Sequence, residues 1–118
     1  MNKLTGSYST TATDSKTYEI YHANLQILPV IAALLQANFG FEPQPLIDGI
    51  DVYYLDCIRE DCRLTVGWDC WSGCFILNMS ASPNWDHIIE EIGSFLDRQL
   101  ENLGDYFDLS LLPKPPHE

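Results

Sequence analysis

The stretch IDVYYLDCIREDCRLTVGWDCWSGCFILNMSA, residues 50–81, decides the fold. It holds three runs rich in β-branched and aromatic residues, at about 50–57, 62–70 and 74–81, with short polar breaks between them. That pattern predicts a three-stranded antiparallel meander. With Ile58-Arg59-Glu60-Asp61 as a four-residue loop, Cys57 faces Cys62, Asp56 faces Arg63, Leu55 faces Leu64 and Tyr53 faces Val66. Successive side chains point to opposite faces of a strand, so Tyr53, Leu55, Cys57, Cys62, Leu64, Val66 and Trp68 share the expected core face. The other face gains the opposite-charge pair Asp56–Arg63, of a kind that contributes about 0.2–1 kcal/mol. At the second break a two-residue Ser72-Gly73 turn is expected, because glycine accepts the positive φ that such turns require. This turn sets Phe75, Leu77 and Met79 opposite Cys70, Trp68 and Val66, and therefore in the core. A slip of one residue would turn the whole strand over.

Working outward, a helical segment flanks the meander on each side, and both are expected to pack on its core face. In the first, at about 25–39, Leu28, Ile31, Leu35 and Phe39 recur at helical spacing. Asn24 is a candidate N-cap; with Pro29 belonging to the first turn, the helix either starts at Asn24 with Pro29 at its limit or begins at Pro29, and Gly40 is the expected stop. The second helix, at about 83–103, follows Ser82-Pro83, an N-cap with proline at the first helical position. At about 100° per residue, Trp85, Ile88, Ile89, Ile92, Phe95, Leu96 and Leu103 gather on one side, with Gln99 interrupting them. Asp86, Glu90, Asp97 and Glu101 gather opposite. The fold class is thus α+β, with Thr17–His22 as an extra edge strand. Residues 1–16 read as a flexible leader, 17–112 as one domain and 113–118 as a proline-rich tail.

Of 118 residues, 46% are apolar, enough for one domain to bury a core. Acids number 17 against 6 basic residues, a formal charge of −11. Between Lys16 and Lys114 the only cations are Arg59, Arg63 and Arg98, while all the acids except Asp14 and Glu118 fall there. Such a field repels phosphate backbones and anionic lipid, so direct binding to nucleic acid or membrane is disfavoured and a basic protein partner is favoured. The longest apolar stretch, near residues 28–35, is shorter than the roughly 20 residues needed to span a bilayer. No signal-peptide pattern opens the chain, so a cytoplasmic location is expected, with the cysteines as thiols.

The order helix, three antiparallel strands, helix resembles double-stranded-RNA-binding domains and small chaperone-like modules, in element order only. The RNA domain requires basic residues where its last helix begins; here Pro83-Asn84-Trp85-Asp86 stands there, and charge rejects the reading.

Two cysteine pairs, Cys57-x4-Cys62 and Cys70-x3-Cys74, suggest zinc. In the meander, however, they sit at opposite ends of a strand about 25 Å long at roughly 3.3 Å per residue. Four thiolates about 2.3 Å from one zinc are then excluded. Cys57, Cys62 and Cys70 are instead expected as small core residues. His22, His87 and His117 are not adjacent to any cysteine, and no phosphate loop, nucleophile elbow or calcium-loop spacing occurs. No catalytic, cofactor or metal residue is expected.

The acidic stripe is the remaining signal. Asp86/Glu90 and Asp97/Glu101 are like-charge i,i+4 pairs, each mildly destabilising to the helix. With Trp71 and Asp69 in the GWDCWSGC turn, these residues form the expected partner-binding set. The leading expectation is a non-enzymatic acidic module that docks on a basic protein as an inhibitor, an immunity-type protein or a chaperone, by nucleic-acid mimicry or otherwise. A homodimer is compatible with this. The alternative is a small enzyme whose site the residues do not disclose.

Overall fold

The computed structural model describes residues 4–11, 15–80 and 85–106. The fold is α+β: seven strands in one antiparallel sheet and two α-helices. In chain order the elements are β1 (Thr5–Thr10), β2 (Lys16–Tyr21), α1 (Ile27–Phe39), β3 (Glu42–Pro43), β4 (Ile47–Asp48), β5 (Val52–Arg59), β6 (Cys62–Asp69), β7 (Gly73–Asn78) and α2 (Asp86–Gln99). A 3₁₀ segment, Leu100–Tyr106, continues from α2. Across the sheet the order is β1-β2-β7-β6-β5-β3, with β4 also paired to β5.

The meander is present as β5-β6-β7 and is extended on both sides. Thr17–His22 was expected at an edge, but β2 lies inside the sheet between β1 and β7. Residues 1–16 are not the flexible leader their composition suggests: Thr5–Thr10 form a strand and Leu4 is buried. The pattern conceals this strand because TGSYST is polar and only Tyr8 presents a large side chain.

Both turns differ from expectation, with different consequences. The first is a two-residue turn at Glu60-Asp61, where Glu60 takes a positive φ of 55°. Arg59 therefore pairs with Cys62, Cys57 with Leu64 and Leu55 with Val66. This register is two residues from the expected one, and an even shift leaves every side chain on its face. Leu55, Cys57, Cys62, Leu64 and Val66 are accordingly buried. Asp56 and Arg63 meet diagonally, with Oδ2 and Nη2 2.8 Å apart.

The second turn is a three-residue loop, Cys70-Trp71-Ser72, closed by the Asp69–Gly73 pair. Asp69 Oδ1 accepts hydrogen bonds from the Trp71 and Ser72 amides, at 2.9 and 2.6 Å. This side-chain turn competes successfully with the two-residue turn. Gly73 takes φ 81°, and a Cβ there would press on the Ile20 carbonyl. The shift is odd, so β7 is turned over. Cys74, Ile76 and Asn78 face the core, and Phe75, Leu77 and Met79 face away from it. The expected roles of Cys70 and Cys74 exchange as well: Cys70 is exposed and Cys74 buried.

Both helices pack on the Leu55/Leu64/Val66 face. From α1, Ile27, Leu28, Ile31, Ala32 and Leu35 are buried. It begins at Ile27, with Gln26 and not Asn24 in the N-cap position; Pro29 is in the first turn, and Gly40 ends it at φ 74°. From α2, Ile88, Ile89, Ile92 and Leu96 are buried, joined by Leu103 beyond its end. The helical run expected to 103 passes into the 3₁₀ segment at Leu100, and the expected Ser82-Pro83 cap lies outside the described residues. Arg59 ties the two helices together. Its Nη1 donates to the Phe39 carbonyl at 2.7 Å, and its guanidinium lies over the rings of Phe41 and Trp85 at 4.9 and 5.3 Å. A cation at the last carbonyls of α1 is also favoured by the helix dipole.

Candidate functional site

The four acids expected on one helical stripe have different surroundings. Asp86 opens α2, and its side chain lies outside the described residues. Glu90 is ion-paired with Lys16 at 3.0 Å, and its carbonyl accepts from the Tyr8 hydroxyl at 3.2 Å. Asp97 Oδ1 accepts a 2.5 Å hydrogen bond from the hydroxyl of the fully buried Tyr18. Burial, and then this bond to a carboxylate, hold the Tyr18 phenol well above its ordinary pKa. Glu101 is exposed in the 3₁₀ segment. Glu90 and Asp97 thus bind the N-terminal strands to α2, an internal cause for acids at those two positions. Tyr8 and Tyr18 complete this contact with rings edge to face, their centroids 5.4 Å apart.

Trp71 and Asp69 come together as expected from their adjacency. Asp69 holds the loop, and Trp71 at its tip is 74% exposed. Trp68 is the opposite case: it faces the core and donates its indole N–H to the Ala23 carbonyl at 2.6 Å.

The cysteines divide the same way. Burial pushes the Cys74 thiol up to about 12; burial, with Asp56 nearby, pushes Cys57 up to about 11; and burial also raises Cys62. Thiols held protonated are poor nucleophiles and poor metal ligands. Among the described residues no group of three or more His, Cys, Asp or Glu is arranged to hold a metal ion.

What the sequence reading missed is the second face of the sheet. The pairing puts Glu19, Phe75, Leu77, Thr65, Val52 and Tyr54 on the side away from the helices. Ile47 of β4 joins them opposite Tyr54. A shallow groove runs between Val52, Tyr54, Phe75, Leu77 and Met79, with Asp56, Arg63 and Thr65 in its floor and wall. The Phe75 ring lies across Gly67 so closely that a Cβ there would collide with it. Gly67 was the available signal: a glycine inside a strand marks close approach of something else, here the ring on the neighbouring strand. Asp56 is saturated, its Oδ1 accepting from the Thr65 hydroxyl at 2.8 Å and its Oδ2 from Arg63 Nε at 3.0 Å.

Comparison with protein-family models, with curated proteins and with solved structures gives no match. Function must therefore be argued from the surface itself. No helix among the described residues is long and apolar enough to cross a membrane.

Proposed function

We propose that this chain is a small acidic binding module that docks on a basic protein and blocks or escorts it, presenting carboxylates where the partner would otherwise meet phosphates. One observation carries the reading: among the described residues, three of the four lysine and arginine side chains are engaged within the fold, Arg98 being the exception. Lys16 is committed to Glu90, Arg63 to Asp56, and Arg59 to the Phe39 carbonyl between two aromatic rings. Glu42, Asp48, Asp51 and Glu60 meanwhile stand exposed, and no ion pair holds them among the described residues. The exposed field is therefore strongly acidic, and complementary charge of this kind speeds association and selects partners.

The test is affinity capture from the native cell extract at low and at high salt, followed by association kinetics with the captured protein. The expected partner is basic, is retained at low salt and released at high salt, and associates more slowly as salt rises. A specific partner that is itself acidic, or one whose association ignores salt, would overturn the proposal.

A further inference from the structure

The geometry points to the face of the sheet that no helix covers among the described residues as the contact surface, occupied by a basic segment of another protein that carries apolar side chains among its lysines and arginines. This inference rests on the proposed docking function and names where, and on what chemistry, it acts.

Three observations converge on that face. The first is its exposed apolar content. Met79 is 54% exposed and Ile47 46%, and Tyr21 and Ile58 share the face by strand parity. Leu46 and Ile50, on either side of β4 in the chain, are exposed as well. Contiguous apolar surface on a soluble domain marks a contact site far more often than scattered single residues do. The second is rigidity. Phe75 is pinned on Gly67, and Asp56 is locked to Thr65 and Arg63, so the groove is already formed before anything enters it. A preformed surface loses little freedom on binding.

The third is charge, and it selects the occupant. By strand parity the face carries Glu19, Glu42 and Asp69, while its cation Arg63 is paired with Asp56. A second copy of this chain would bring the same acids against each other. The apolar strip spans roughly 20 Å by 17 Å at the usual strand spacings. That is less than the roughly 800 Å² that each partner of a stable pair commonly buries. The remainder must come from the charged rim, which favours a cationic partner and opposes self-pairing. Apolar residues in the middle and lysine or arginine at the margins is the complementary pattern.

The probe is a synthetic peptide of alternating leucine and lysine, added to the full chain and followed by amide NMR shifts and by titration. Two control peptides replace the leucines by serine or the lysines by glutamate. Shift changes are expected at residues 52–56, 63–69 and 75–79. Leu77→Ser combined with Met79→Ser should weaken binding at least about tenfold, one decade in Kd. Both control peptides should be weaker by a similar factor. The double variant must keep the parent melting curve; Met79→Ser alone, at the more exposed position, serves if it does not. If the leucine–lysine and serine–lysine peptides bind alike, or if Glu90→Gln with Glu101→Gln removes binding while the face variant does not, the contact lies elsewhere. The acidic-module reading then survives and this inference falls. If the chain alone sediments as a dimer that the face variant dissociates, the occupant is a second copy and the inference also falls. If no basic peptide binds at any salt concentration, both readings fail together.

Discussion

The two faces of the sheet are built from similar residue types but are handled oppositely. On one, Leu55, Leu64, Val66 and Ile76 lie beneath both helices and are almost wholly withdrawn from water. On the other, Val52, Tyr54, Phe75 and Leu77 remain partly exposed around a groove. Apolar character alone therefore does not mark the core of this domain. What distinguishes the faces is which one the chain's own helices cover, and that depends on strand register.

The contrast can be broken most directly by truncating each face. Leu64→Ala and Ile92→Ala should each lower unfolding free energy by about 2–5 kcal/mol, since each leaves a cavity beneath a helix. Leu77→Ala, on the bare face, should cost less than about 1 kcal/mol, as surface changes do. Denaturant midpoints decide this, and equal losses at Leu64 and Leu77 would mean that both faces are covered.

The next effect sharpens the boundary between covered sheet and covering helix. A Cβ on the buried Gly93 of α2 would strike the Tyr8 hydroxyl and the Tyr18 ring. Gly93→Ala should cost about 1–3 kcal/mol through overpacking. Faster amide exchange confined to β1 and β2 would locate the damage. Tyr18→Phe is milder. It removes the hydroxyl that Asp97 accepts, and about 1–2 kcal/mol should be lost, with Asp97 left to water. A loss no greater than for Tyr8→Phe would remove Asp97 from the account of how the helix is held.

The smallest effect separates the thiols. Native alkylation followed by mass analysis should label Cys70 well before Cys57, Cys62 or Cys74. In alkali, the Cys74 thiol ordinarily ionises near 9 but in the folded chain only near 12. Below pH 9 it is protonated in both states and its contribution is complete. Above that, the unfolded chain ionises first, so stability falls as pH climbs from about 9 towards 12. Cys74→Ala should flatten that slope in melting curves taken across this range.

Much of this was readable from residue order, and the reasons differ by element. The apolar spacing of α1 and α2 survives small errors in their ends, because a helical stripe is defined over several turns. In β5 and β6 the assigned faces hold although the register moves by two, since side-chain parity is unchanged by an even shift. In β7 parity fails because CFILNM is apolar at almost every position: Phe75, Leu77 and Met79 make as good a core stripe as Cys74, Ile76 and Asn78. The deciding residue is Asp69, whose carboxylate holds a three-residue loop. β1 escaped because what holds it, its own Tyr8 packed with Tyr18 against α2, depends on a helix about eighty residues further along the chain. The acidic positions were visible, but not that Glu90 and Asp97 have partners inside the molecule.

The pairing of β2 with β7, Thr17 opposite Leu77, has a consequence in time. A chain growing from its N-terminus presents β1 and β2 early, yet β2's second neighbour in the sheet appears only about sixty residues later. The helix that fastens these strands, through Tyr18 and Asp97, comes later still. Contacts between segments so distant close a large loop and slow folding. The β1–β2 hairpin is thus made well before the strand and the helix that secure it, and its docking onto them is a late step of folding.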